Sequence, residues 1–563
     1  MPVYSDAANP DLLSRIPPSA RVIVDVGCGT GALGLAHKRR NPSARYFGIE
    51  VDPAVADVAA SRLDRVACVD VETTPLPFGD EPVDCVIYGD VLEHLRNPWA
   101  VLGVHARHLA PSGTVLICMP NVEHWQFAER LLRGTFDYEE EGLFDRTHLR
   151  WFSVETMRRA IAEAGLFAQD VKPRIFDFAR AQDFTRDLTP SLQSLGIDPA
   201  HYLQRSAPLQ HVWRARRVPV QTIFIVSTML PHVGGVSHVR IIEPMAALAA
   251  EGAVHVQIIE GTDVPPLPDD VPKIFIFHRP LLDGEEGLAA VRNLIAAGFI
   301  IVCEFDDHPG YIPVLQGKDI MNFRAVHAVQ TSTEPLAQVL RGENPETVVF
   351  PNAISELPAP RNYADPSRLT LFFGGLNREE DWPPYIAALN SVAAIAGERL
   401  QFQIVNDQGF FEALRTPHKA FTPLCDYAVY QNLLAHSEFS FMPLEDTPFN
   451  RCKSDLKYIE AAAFRVTALA SPTVYQDSIQ DGKTGVIFHD AQDLQRKLIR
   501  LVADPDAGRT MANAARADIA QHRMLAAQTA PRLAWYRSLW ERRVQLNQAL
   551  LVRVPEVDRK SVV

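Results

Sequence analysis

The sequence predicts an α/β protein made of three consecutive sheets of the nucleotide-binding type. The first observation is an apolar strand over residues 21–26 that runs into the turn Gly27-Cys28-Gly29-Thr30-Gly31 and then into a helix. A strand, a glycine-rich turn and a helix open a doubly wound parallel sheet. The second observation is that the alternation of strands and helices restarts at residue 222 and again at residue 369. We therefore expect three domains, over residues 1–218, 219–360 and 361–563.

The composition excludes several classes of protein. The chain has 563 residues with 55 basic and 68 acidic side chains and a formal net charge of -13, which argues against binding nucleic acid mainly by charge. Its seven cysteines form no C-x-x-C pair, so neither a zinc site nor a disulfide framework is indicated, as expected in a reducing cytoplasm. The amino terminus lacks the basic and apolar regions of a signal peptide, and no apolar run reaches the length of a membrane span. We expect a soluble cytoplasmic protein that could visit a membrane surface to reach a lipid-linked substrate.

The first glycine-rich turn has the chemistry of a nucleotide site. Without side chains, Gly27, Gly29 and Gly31 let a ligand approach the backbone closely, and the free N–H groups of the following helix face whatever occupies the turn. The spacing G-x-G-x-G differs from the G-x-G-x-x-G of dinucleotide enzymes. About twenty residues further on, Glu50 ends the second strand, where a carboxylate can accept hydrogen bonds from both hydroxyls of a ribose.

Roughly residues 20–170 resemble class I S-adenosylmethionine (SAM) methyltransferases, and the resemblance implies a Rossmann-like domain that binds SAM. In that family the end of the third strand, here Asp70-Val71, places an acid near the adenine amino group, and the turn that here runs from Asp90 to His94 lies beside the methyl donor. The cofactor-binding residues that the resemblance implies are Asp25, Gly27, Gly29, Gly31, Glu50, Asp70, Val71 and Asp90. The alternatives are another Rossmann-like protein with a ribose-binding acid and a methyltransferase fold without catalysis.

An insertion over residues 121–152 follows the fifth strand and mixes aromatic side chains with His, Asp and Arg, a composition that suits a substrate-binding lid. Part of it, residues 142–152, resembles O-methyltransferases of the ubiquinone-biosynthesis type and methyltransferases linked to polysaccharide synthesis. Methyl transfer to oxygen requires the acceptor to lose a proton, and a neutral histidine is a suitable general base. The candidates are His94 and His148, with Asp145 orienting a histidine or holding the acceptor hydroxyl.

Each of these residues also has a purely structural interpretation. Asp145, His148 and Arg150 could lock the lid by hydrogen bonds, and His94 could cap the helix after the fourth strand. The sequence leaves both interpretations open.

A second glycine pair, Gly234-Gly235, and the segment 442–462 carry another resemblance. Residues 222–540 resemble GT-B glycosyltransferases, especially the bacterial retaining enzymes that build polysaccharides. In that family the glycine turn lies near donor and acceptor, and the helix that here begins near Lys453 lies at a sugar-nucleotide site. A helical tail over residues 532–551 would cross back to the first half of this fold or mediate oligomerisation. The resemblance implies a nucleotide-sugar donor held by Gly234, Gly235, Arg378, Lys453, Ser454, Lys457 and Glu460.

The chemistry of the residues near this helix is consistent with that role. Lys453 and Lys457 are expected one turn apart on one helix face, where two ammonium groups can neutralise the leaving nucleotide diphosphate. The free N–H groups at the helix start, near Lys453 and Ser454, can face the same diphosphate. Glu460 would accept hydrogen bonds from the nucleotide ribose, as the resemblance implies. A solvated helix face is the structural alternative for both lysines.

One position departs from the family pattern. Many relatives carry two glutamates eight residues apart, and Cys452 stands where the first would touch the donor sugar. Asn450 and Glu445 are the candidate replacements. The segment 304–308 resembles a metal-binding acidic motif, but cation use through such a motif belongs to the other major glycosyltransferase fold, so we expect no metal site. Its residues, like His278-Arg279-Pro280, are candidates for acceptor contacts or for bracing a cleft.

Together these features predict a bifunctional enzyme that transfers a methyl group from SAM to a sugar hydroxyl and a sugar from a nucleotide donor, in the synthesis of a surface glycan. The acceptor would be a glycan or a lipid-linked saccharide, with no nucleic-acid partner. Three alternatives stay open. They are an active methyltransferase with a vestigial glycosyltransferase that only binds, an enzyme that tailors a small molecule or lipid, and a non-enzymatic assembly protein.

Overall fold

The computed structural model describes residues 6–79, 81–229, 234–359, 368–376 and 378–558 of the chain. The chain forms two compact units. Unit 1 comprises residues 1–221 with residues 249–253, and unit 2 comprises residues 222–248 with residues 254–563. In the part of the chain that the structure describes, no helix has both the length and the apolar character that a membrane crossing needs.

Unit 1 is built on a seven-stranded sheet. Its strands are β1 (Val22–Val26), β2 (Arg45–Glu50), β3 (Arg65–Cys68), β4 (Val83–Gly89), β5 (Leu109–Pro120), β6 (Phe167–Arg174) and β7 (Gln210–Arg216). They are arranged in the order β3-β2-β1-β4-β5-β7-β6. Strands β1 to β5 run parallel, whereas β7 is antiparallel to both of its neighbours. The strand order reverses between β1 and β4, so the loops after these two strands diverge and leave a crevice at their carboxyl ends.

Helices cover both faces of this sheet. They are α1 (Pro10–Leu13), α2 (Ala32–Arg40), α3 (Pro53–Ala60), α4 (Pro98–His108), α5 (Trp125–Arg133), α6 (Val154–Glu163), α7 (Phe178–Ser194) and α8 (Pro199–Ser206). The Asp52 side chain accepts hydrogen bonds from first-turn N–H groups of α3, and Ser153 and Thr156 cap α6 reciprocally. Alternate residues of β1 enter two separate hydrophobic clusters, Val24 one and Ile23 the other, as expected of a central parallel strand.

Unit 2 contains two six-stranded sheets in which all strands are parallel. The first sheet has the order β13-β12-β11-β10-β8-β9, with β8 (Ile223–Thr228), β9 (Val254–Ile259), β10 (Lys273–His278), β11 (Ile300–Glu304), β12 (Ala328–Thr331) and β13 (Thr347–Val349). The second has the order β16-β15-β14-β17-β18-β19, with β14 (Leu369–Gly374), β15 (Leu400–Val405), β16 (Lys419–Thr422), β17 (Phe439–Met442), β18 (Thr467–Ala470) and β19 (Val486–Ile487). The strand order reverses beside β8 and beside β14, which again opens a crevice at the carboxyl ends.

The helices of unit 2 alternate with these strands. They are α9 (Gly234–Ser237), α10 (Glu243–Ala250), α11 (Gly284–Ala296), α12 (Glu334–Arg341), α13 (Ile386–Ala396), α14 (Gln408–Ala413), α15 (Tyr427–Ala435), α16 (Pro448–Arg451), α17 (Leu456–Ala463), α18 (Ala491–Ala503), α19 (Pro505–His522), α20 (Ala526–Glu541) and α21 (Arg543–Arg553). A π-helical stretch, His238–Ile242, joins α9 to α10. The predicted α/β class with Rossmann-like sheets is therefore confirmed.

A buried ion pair supports the carboxyl ends of the first sheet of unit 2. Arg240 is 1% exposed, and two of its guanidinium nitrogens donate to the carboxylate of Glu304 at 2.8 and 3.0 Å. Gln330 donates to the same carboxylate at 2.7 Å, and Tyr536 of α20 donates to the side-chain carbonyl of Gln330 at 2.7 Å. Helix α20 is thereby attached to the first sheet.

Removing one partner of this ion pair should destabilise unit 2. Glu304→Ala leaves the Arg240 charge buried without the carboxylate that it binds, and we expect a loss of about 3–5 kcal/mol in the free energy of unfolding. Urea unfolding followed by circular dichroism measures this loss. The matched control is Asp446→Ala, because Asp446 pairs with Arg451 where both side chains are 62% exposed, and it should leave the free energy of unfolding nearly unchanged. Similar losses in the two variants would contradict the role of the buried pair.

Candidate functional site

The glycine-rich turn of unit 1 is held by the end of the neighbouring strand. The N–H groups of Gly27 and Cys28 both donate to the carbonyl of Ile49 in β2, at 2.8 and 3.1 Å. Gly27 has a φ of 66°, and a Cβ built on it would lie 2.4 Å from Cγ2 of Val91. Gly31, just before α2, has a φ of 77°. Only glycine fits such positions without strain, so the turn requires glycine at both of them.

Glu50, the last residue of β2, connects three backbone groups. One carboxylate oxygen accepts a hydrogen bond from the N–H of Gly29 at 3.0 Å, and the other accepts from those of Val51 and Asp52 at 2.9 and 3.1 Å. The residue is only 4% exposed. Its carboxylate is therefore fixed beside the glycine turn, at the place where the sequence analysis expects a ribose-binding acid.

Three other expected cofactor residues have different surroundings. Asp25 is buried in β1, where Tyr46 donates a hydrogen bond of 3.0 Å to its carboxyl and burial raises the pKa of Asp25 to about 7. Val71 is buried in the core. Asp70 is exposed and accepts a hydrogen bond of 2.8 Å from the N–H of Glu72. Asp25 and Val71 are therefore buried inside the domain, whereas Asp70 lies at its surface.

Asp90 follows β4 in a left-handed conformation, with a φ of 57°, which is uncommon for a residue with a side chain. Its N–H donates to the carbonyl of Cys118 in β5 at 3.0 Å, and Gln210 of β7 donates to its carboxyl. Burial raises the pKa of Asp90 to about 6. The turn over residues 90–94 is thus anchored to two strands of the sheet.

The structure brings together the three residues expected to act in catalysis. The ring centroids of His94 and His148 lie 4.8 Å apart. The Thr147 hydroxyl donates to Asp145 at 2.7 Å and lies 2.9 Å from Nδ1 of His94. Because the hydroxyl proton is directed to Asp145, its oxygen accepts the proton on Nδ1 of His94, which leaves the lone pair of His94 on Nε2. Burial lowers the pKa of both histidines, so both rings are neutral near pH 7.

Glu93, which precedes His94 in the turn, has no role in the sequence analysis. It is 1% exposed, and neither carboxylate oxygen has a hydrogen-bond partner among the residues that the structure describes. Burial raises the pKa of this carboxyl well above its usual range. Ligand-capable atoms of Glu93, His94 and His148 all lie within 4.8 Å of one another, so these side chains are able to hold a metal ion. The signal in the sequence is an acid that follows two apolar residues at the start of the turn.

Backbone hydrogen bonds join this turn to the lid. The carbonyl of Glu93 accepts from the N–H groups of Leu149 and Arg150, at 2.7 and 3.0 Å. The Arg150 side chain donates from Nε to the carbonyl of Arg96 at 3.1 Å. Arg150 therefore locks the lid, which is the structural interpretation left open for it. Three lid aromatics pack together, with ring centroids 4.8 and 4.9 Å apart: Phe127, Phe144 and Trp151.

The two lysines expected at a diphosphate are largely removed from water in unit 2. Nζ of Lys453 lies 3.2 Å from the Asp307 carboxylate, and Lys457 donates to the carbonyl of Gly374 at the end of β14. Burial lowers the pKa of both ammonium groups, to about 7 for Lys457, and the nearby Arg378 charge contributes to both shifts. Neither lysine lies on a solvated helix face.

The predicted helix start at Lys453 is wrong. Residues 448–451 form their own short helix, α16, and the N–H of Lys453 closes the next turn on the carbonyl of Asn450 at 3.0 Å. Helix α17 begins only at Leu456. Lys453 and Lys457 are therefore not neighbours on one helix, because Lys453 belongs to the loop before α17.

Tyr427 connects two of the expected nucleotide-sugar residues. Its hydroxyl donates to Glu460 at 2.6 Å, and burial raises the pKa of Glu460 to about 7. A Cβ on Gly235 would lie 2.9 Å from the Tyr427 ring, whereas a Cβ on Gly234 would meet no atom of a described residue within 4 Å. Gly235 thus lets the ring approach the backbone.

Ser454 is tied to the first sheet of unit 2 by a short chain of hydrogen bonds. Its hydroxyl accepts from the side-chain amide of Asn352 at 2.8 Å, and the Asn352 side-chain carbonyl accepts from Arg240 at 2.9 Å. The loop before α17 is therefore positioned by the same arginine that pairs with Glu304.

The structure shows what Cys452 does in place of a glutamate. It is 5% exposed and packs in the core of the first sheet, while its carbonyl accepts a hydrogen bond of 2.8 Å from the Thr333 hydroxyl. Of the two candidate replacements, Asn450 is buried, and its amide donates to Asp381 and to the carbonyl of Glu445. Glu445 is exposed. Asn450 therefore shapes the loop.

The acidic segment after β11 pairs with Arg279. This arginine donates to Asp306 at 2.6 Å and to Asp307 at 2.8 Å, and Asp307 also faces Lys453. These contacts brace the loop, one of the roles expected for this segment. His278 is 1% exposed, neither ring nitrogen has a partner among the described residues, and burial lowers its pKa to about 4.

Family models match both parts of the chain. Residues 4–169 match a model described as a methyltransferase domain, and residues 390–532 match one described as glycosyl transferase-like. The chain joins a methyltransferase domain to a glycosyltransferase domain. Both resemblances drawn from the sequence are thereby confirmed at the level of the domain.

Individual relatives match parts of the chain. An uncharacterised methyltransferase of Mycobacterium leprae is 33% identical over 103 residues, which are 18% of this chain and 38% of that protein. A malonyl-[acyl-carrier protein] O-methyltransferase of Hahella chejuensis is 29% identical over 205 residues, 35% of this chain and 67% of that protein. The structure of sucrose-phosphate synthase from Thermosynechococcus elongatus matches 57% of this chain and 100% of that chain, with 15% identity and a TM-score of 0.41. The chain thus spans less than half of the Mycobacterium relative.

Proposed function

We propose that this chain is a bifunctional cytoplasmic transferase that methylates a saccharide hydroxyl with SAM and transfers a sugar from a nucleotide donor, in the synthesis of a surface glycan. The observation that carries the proposal is a convergence at the carboxyl ends of the strands of unit 1. The bare glycine turn, the fixed Glu50 carboxylate and the cluster of His94, Asp145 and His148 all follow these strand ends. The two domains in one chain support a shared acceptor, a glycan or a lipid-linked saccharide.

The residues around the turn fit SAM. A side chain at Gly27 would collide with Val91, so this position of the turn accepts only glycine. Glu50 is oriented by three N–H groups and suits ribose hydroxyls, and the exposed Asp70 suits an adenine amino group. When bound, SAM supplies an electrophilic methyl group carried on a sulfonium.

The part of the protein in this reaction is to hold the acceptor hydroxyl and remove its proton. His94 presents the lone pair of Nε2, since its Nδ1 proton is held by Thr147 and, through it, by Asp145. The Asp145 charge then stabilises the imidazolium that forms when His94 takes the proton. His148, whose ring faces His94 edge-on, is the second proton acceptor. The name of the Hahella relative, an O-methyltransferase, supports oxygen as the atom methylated.

In the glycosyltransferase domain, three cationic side chains suit a nucleotide diphosphate. The charge of Arg378 lowers the pKa of both Lys453 and Lys457, so the three groups are close enough to act on one ligand. Arg378 lies 3.3 Å from Asp381, and Lys453 lies 3.2 Å from Asp307. A diphosphate can replace Asp307 on Lys453, and its negative charge would be stabilised by all three cations.

One observation favours a second candidate function for this domain. The side chain of Cys452 points into the core, so the segment offers no carboxylate there to the donor sugar. The alternative is therefore a domain that binds sugar nucleotides without turning them over.

Loss of the Glu50 carboxylate should weaken SAM binding. In Glu50→Ala we expect the dissociation constant to rise about tenfold or more, because a hydrogen bond to a charged group contributes about 1.5–3 kcal/mol. Isothermal titration calorimetry measures it, and Glu50→Gln tests the charge with the shape preserved. The control is Glu81→Ala, an exposed carboxylate paired with Arg45. An affinity within about twofold of the original in both Glu50 variants would remove this residue from the SAM site.

Loss of Lys453 should reduce turnover of the sugar nucleotide. In Lys453→Ala we expect nucleotide release to fall about tenfold or more, since one charged contact to the diphosphate is lost, while SAM affinity stays unchanged. The assay follows nucleotide release from UDP-, GDP-, dTDP- and CMP-sugars with crude glycan acceptor. The exposed Lys483 provides the control, Lys483→Ala.

The pattern of results separates the two candidate functions. Lys453-dependent release from one donor supports an active transferase. Lys453-dependent binding of a nucleoside diphosphate without release from any donor supports the binding module. Release that is the same in Lys453→Ala and in the original protein contradicts the phosphate role.

Binding of a nucleoside diphosphate should weaken as the pH rises. The pKa of Lys457 is lowered to about 7 by burial and by Arg378, so above pH 7 the amine is mostly uncharged, whereas a bound diphosphate favours the ammonium form. Binding then takes up a proton, and the dissociation constant should rise by up to about tenfold per pH unit between pH 7.5 and 9. Calorimetry in buffers of different ionisation enthalpy counts the proton. Lys457→Met should abolish the proton uptake. This variant distinguishes Lys457 from the neighbouring ionisable groups, Glu460, Lys453 and Asp381. Proton uptake that persists in Lys457→Met excludes Lys457 as its source.

A further inference from the structure

Glu93 is a buried acid without a hydrogen-bond partner among the described residues. It is 1% exposed, and neither carboxylate oxygen accepts a hydrogen bond from any described residue. By contrast, the buried Glu304 carboxylate binds Arg240 and Gln330. A buried carboxylate without hydrogen bonds or a counter-charge is costly, so a positively charged ligand from outside the described residues would stabilise Glu93.

Two histidines stand next to this carboxylate. Ligand-capable atoms of Glu93, His94 and His148 all lie within 4.8 Å of one another. A first-row cation bound at about 2.0–2.2 Å holds its ligand atoms roughly 3–3.5 Å apart, so modest rotations of these side chains would close the shell. Nδ1 of His148 is buried and has no partner among the described residues. Two imidazoles and one carboxylate form a ligand set typical of zinc and of other first-row divalent metals.

The surroundings of His94 are those of a metal ligand. A ligating histidine usually donates its other N–H to a carboxylate or carbonyl, which fixes the ring and the tautomer. Nδ1 of His94 reaches the Thr147 hydroxyl, which donates to Asp145, so its Nε2 is free to ligate. Nδ1 of His148 has no partner among the described residues. Each histidine thus has a ring nitrogen available.

Main-chain contacts hold the ligand-bearing segments together. The turn supplies Glu93 and His94, and the lid supplies His148. The carbonyl of Glu93 accepts hydrogen bonds from the N–H groups of Leu149 and Arg150, at 2.7 and 3.0 Å. The three ligands are therefore positioned by backbone contacts, as a built site requires.

We propose that Glu93, His94 and His148 bind a divalent first-row transition-metal cation whose open coordination positions take the hydroxyl oxygen of the methyl acceptor. The cation neutralises Glu93 and lowers the pKa of the hydroxyl that it binds. In this state His94 and His148 are ligands, and the hydroxyl proton leaves to solvent. The role in methyl transfer rests on the proposed function, whereas binding of the cation does not.

The test titrates Zn²⁺ into the full-length, chelator-treated protein in competition with a chromophoric chelator. We expect the original protein to bind one equivalent of Zn²⁺ at this site. In Glu93→Gln and in His148→Gln the affinity of this site for Zn²⁺ should fall at least about a hundredfold. Thr147→Val, which removes the support of His94, should weaken binding about 10–100-fold. The control is His201→Ala, an exposed histidine of α8, which should leave this equivalent unchanged.

Folding does not confound the central variant. Glu93→Gln keeps the shape of the side chain and removes an unpartnered buried acid, so its thermal midpoint should be equal to or above that of the original protein. Equal Zn²⁺ binding by the original protein and by both ligand variants would overturn the proposal.

SAM binding, measured in the same preparations, separates this proposal from the proposed function. Zn²⁺ binding that depends on Glu93 in a protein that does not bind SAM would support the cation site and overturn methyl transfer. Methylation that continues at full rate in chelator-treated protein free of bound cation would overturn the catalytic role of the cation, and would leave His94 as the base.

Discussion

Parallel strands end in loops whose backbone N–H and carbonyl groups have no partner in the sheet, and in this protein buried charged side chains satisfy them. In the methyltransferase domain Glu50 accepts hydrogen bonds from three such N–H groups. In unit 2 Arg240 donates to the carbonyl of Phe350 and to the side chain of Asn352, while Glu304 neutralises it. Without these side chains the loops of both candidate sites would contain unsatisfied buried polar groups. Both candidate sites therefore lie at strand ends, where backbone N–H and carbonyl groups have no hydrogen-bond partners within the sheet.

The two domains compensate their buried charge in different ways. In the glycosyltransferase domain the Lys453 ammonium has Asp307 opposite it, and Arg279 in turn holds Asp307. The Lys453 charge is thus paired without a ligand, so a diphosphate bound there, as we propose, would compete with a carboxylate of the protein. In the methyltransferase domain Glu93 has no such internal partner among the described residues. A buried acid without a counter-charge favours the binding of a positively charged ligand, because the protein interior screens charge poorly.

Neighbouring residues of the lid make contacts of different kinds. Asp145 orients His94 through Thr147, which is a role near the chemistry. Arg150, a few residues further on, donates to the carbonyl of Arg96 and holds the lid in place. Both residues belong to the same aromatic and charged segment of the sequence. The tertiary contacts divide that segment into side chains that are grouped around His94 and side chains that hold the lid in place.

Local sequence patterns were enough to predict much of the fold and part of the candidate sites. The positions of the glycine turn and of Glu50 could be predicted from the sequence, because a strand, a turn and a helix are adjacent in the chain and the end of the second strand follows about twenty residues later. The start of the helix near Lys453 could not be assigned, because a competing turn closed by Asn450 decides where α17 begins. The burial of Cys452 could not be predicted either, because the core residues that it packs against belong to the first sheet of unit 2.

The sequence by itself determined the α/β class, the two families, and the identity of the residues at the strand ends, because these follow from short-range periodicity and motif spacing. Only the tertiary structure decided which charges meet: Lys453 with Asp307, Tyr427 with Glu460, and Glu93 with His94 and His148. The physical reason is that most of these partners are far apart in the chain and are brought together by packing. The pairing of charge in a low-dielectric interior depends on distances that no local pattern of residues contains.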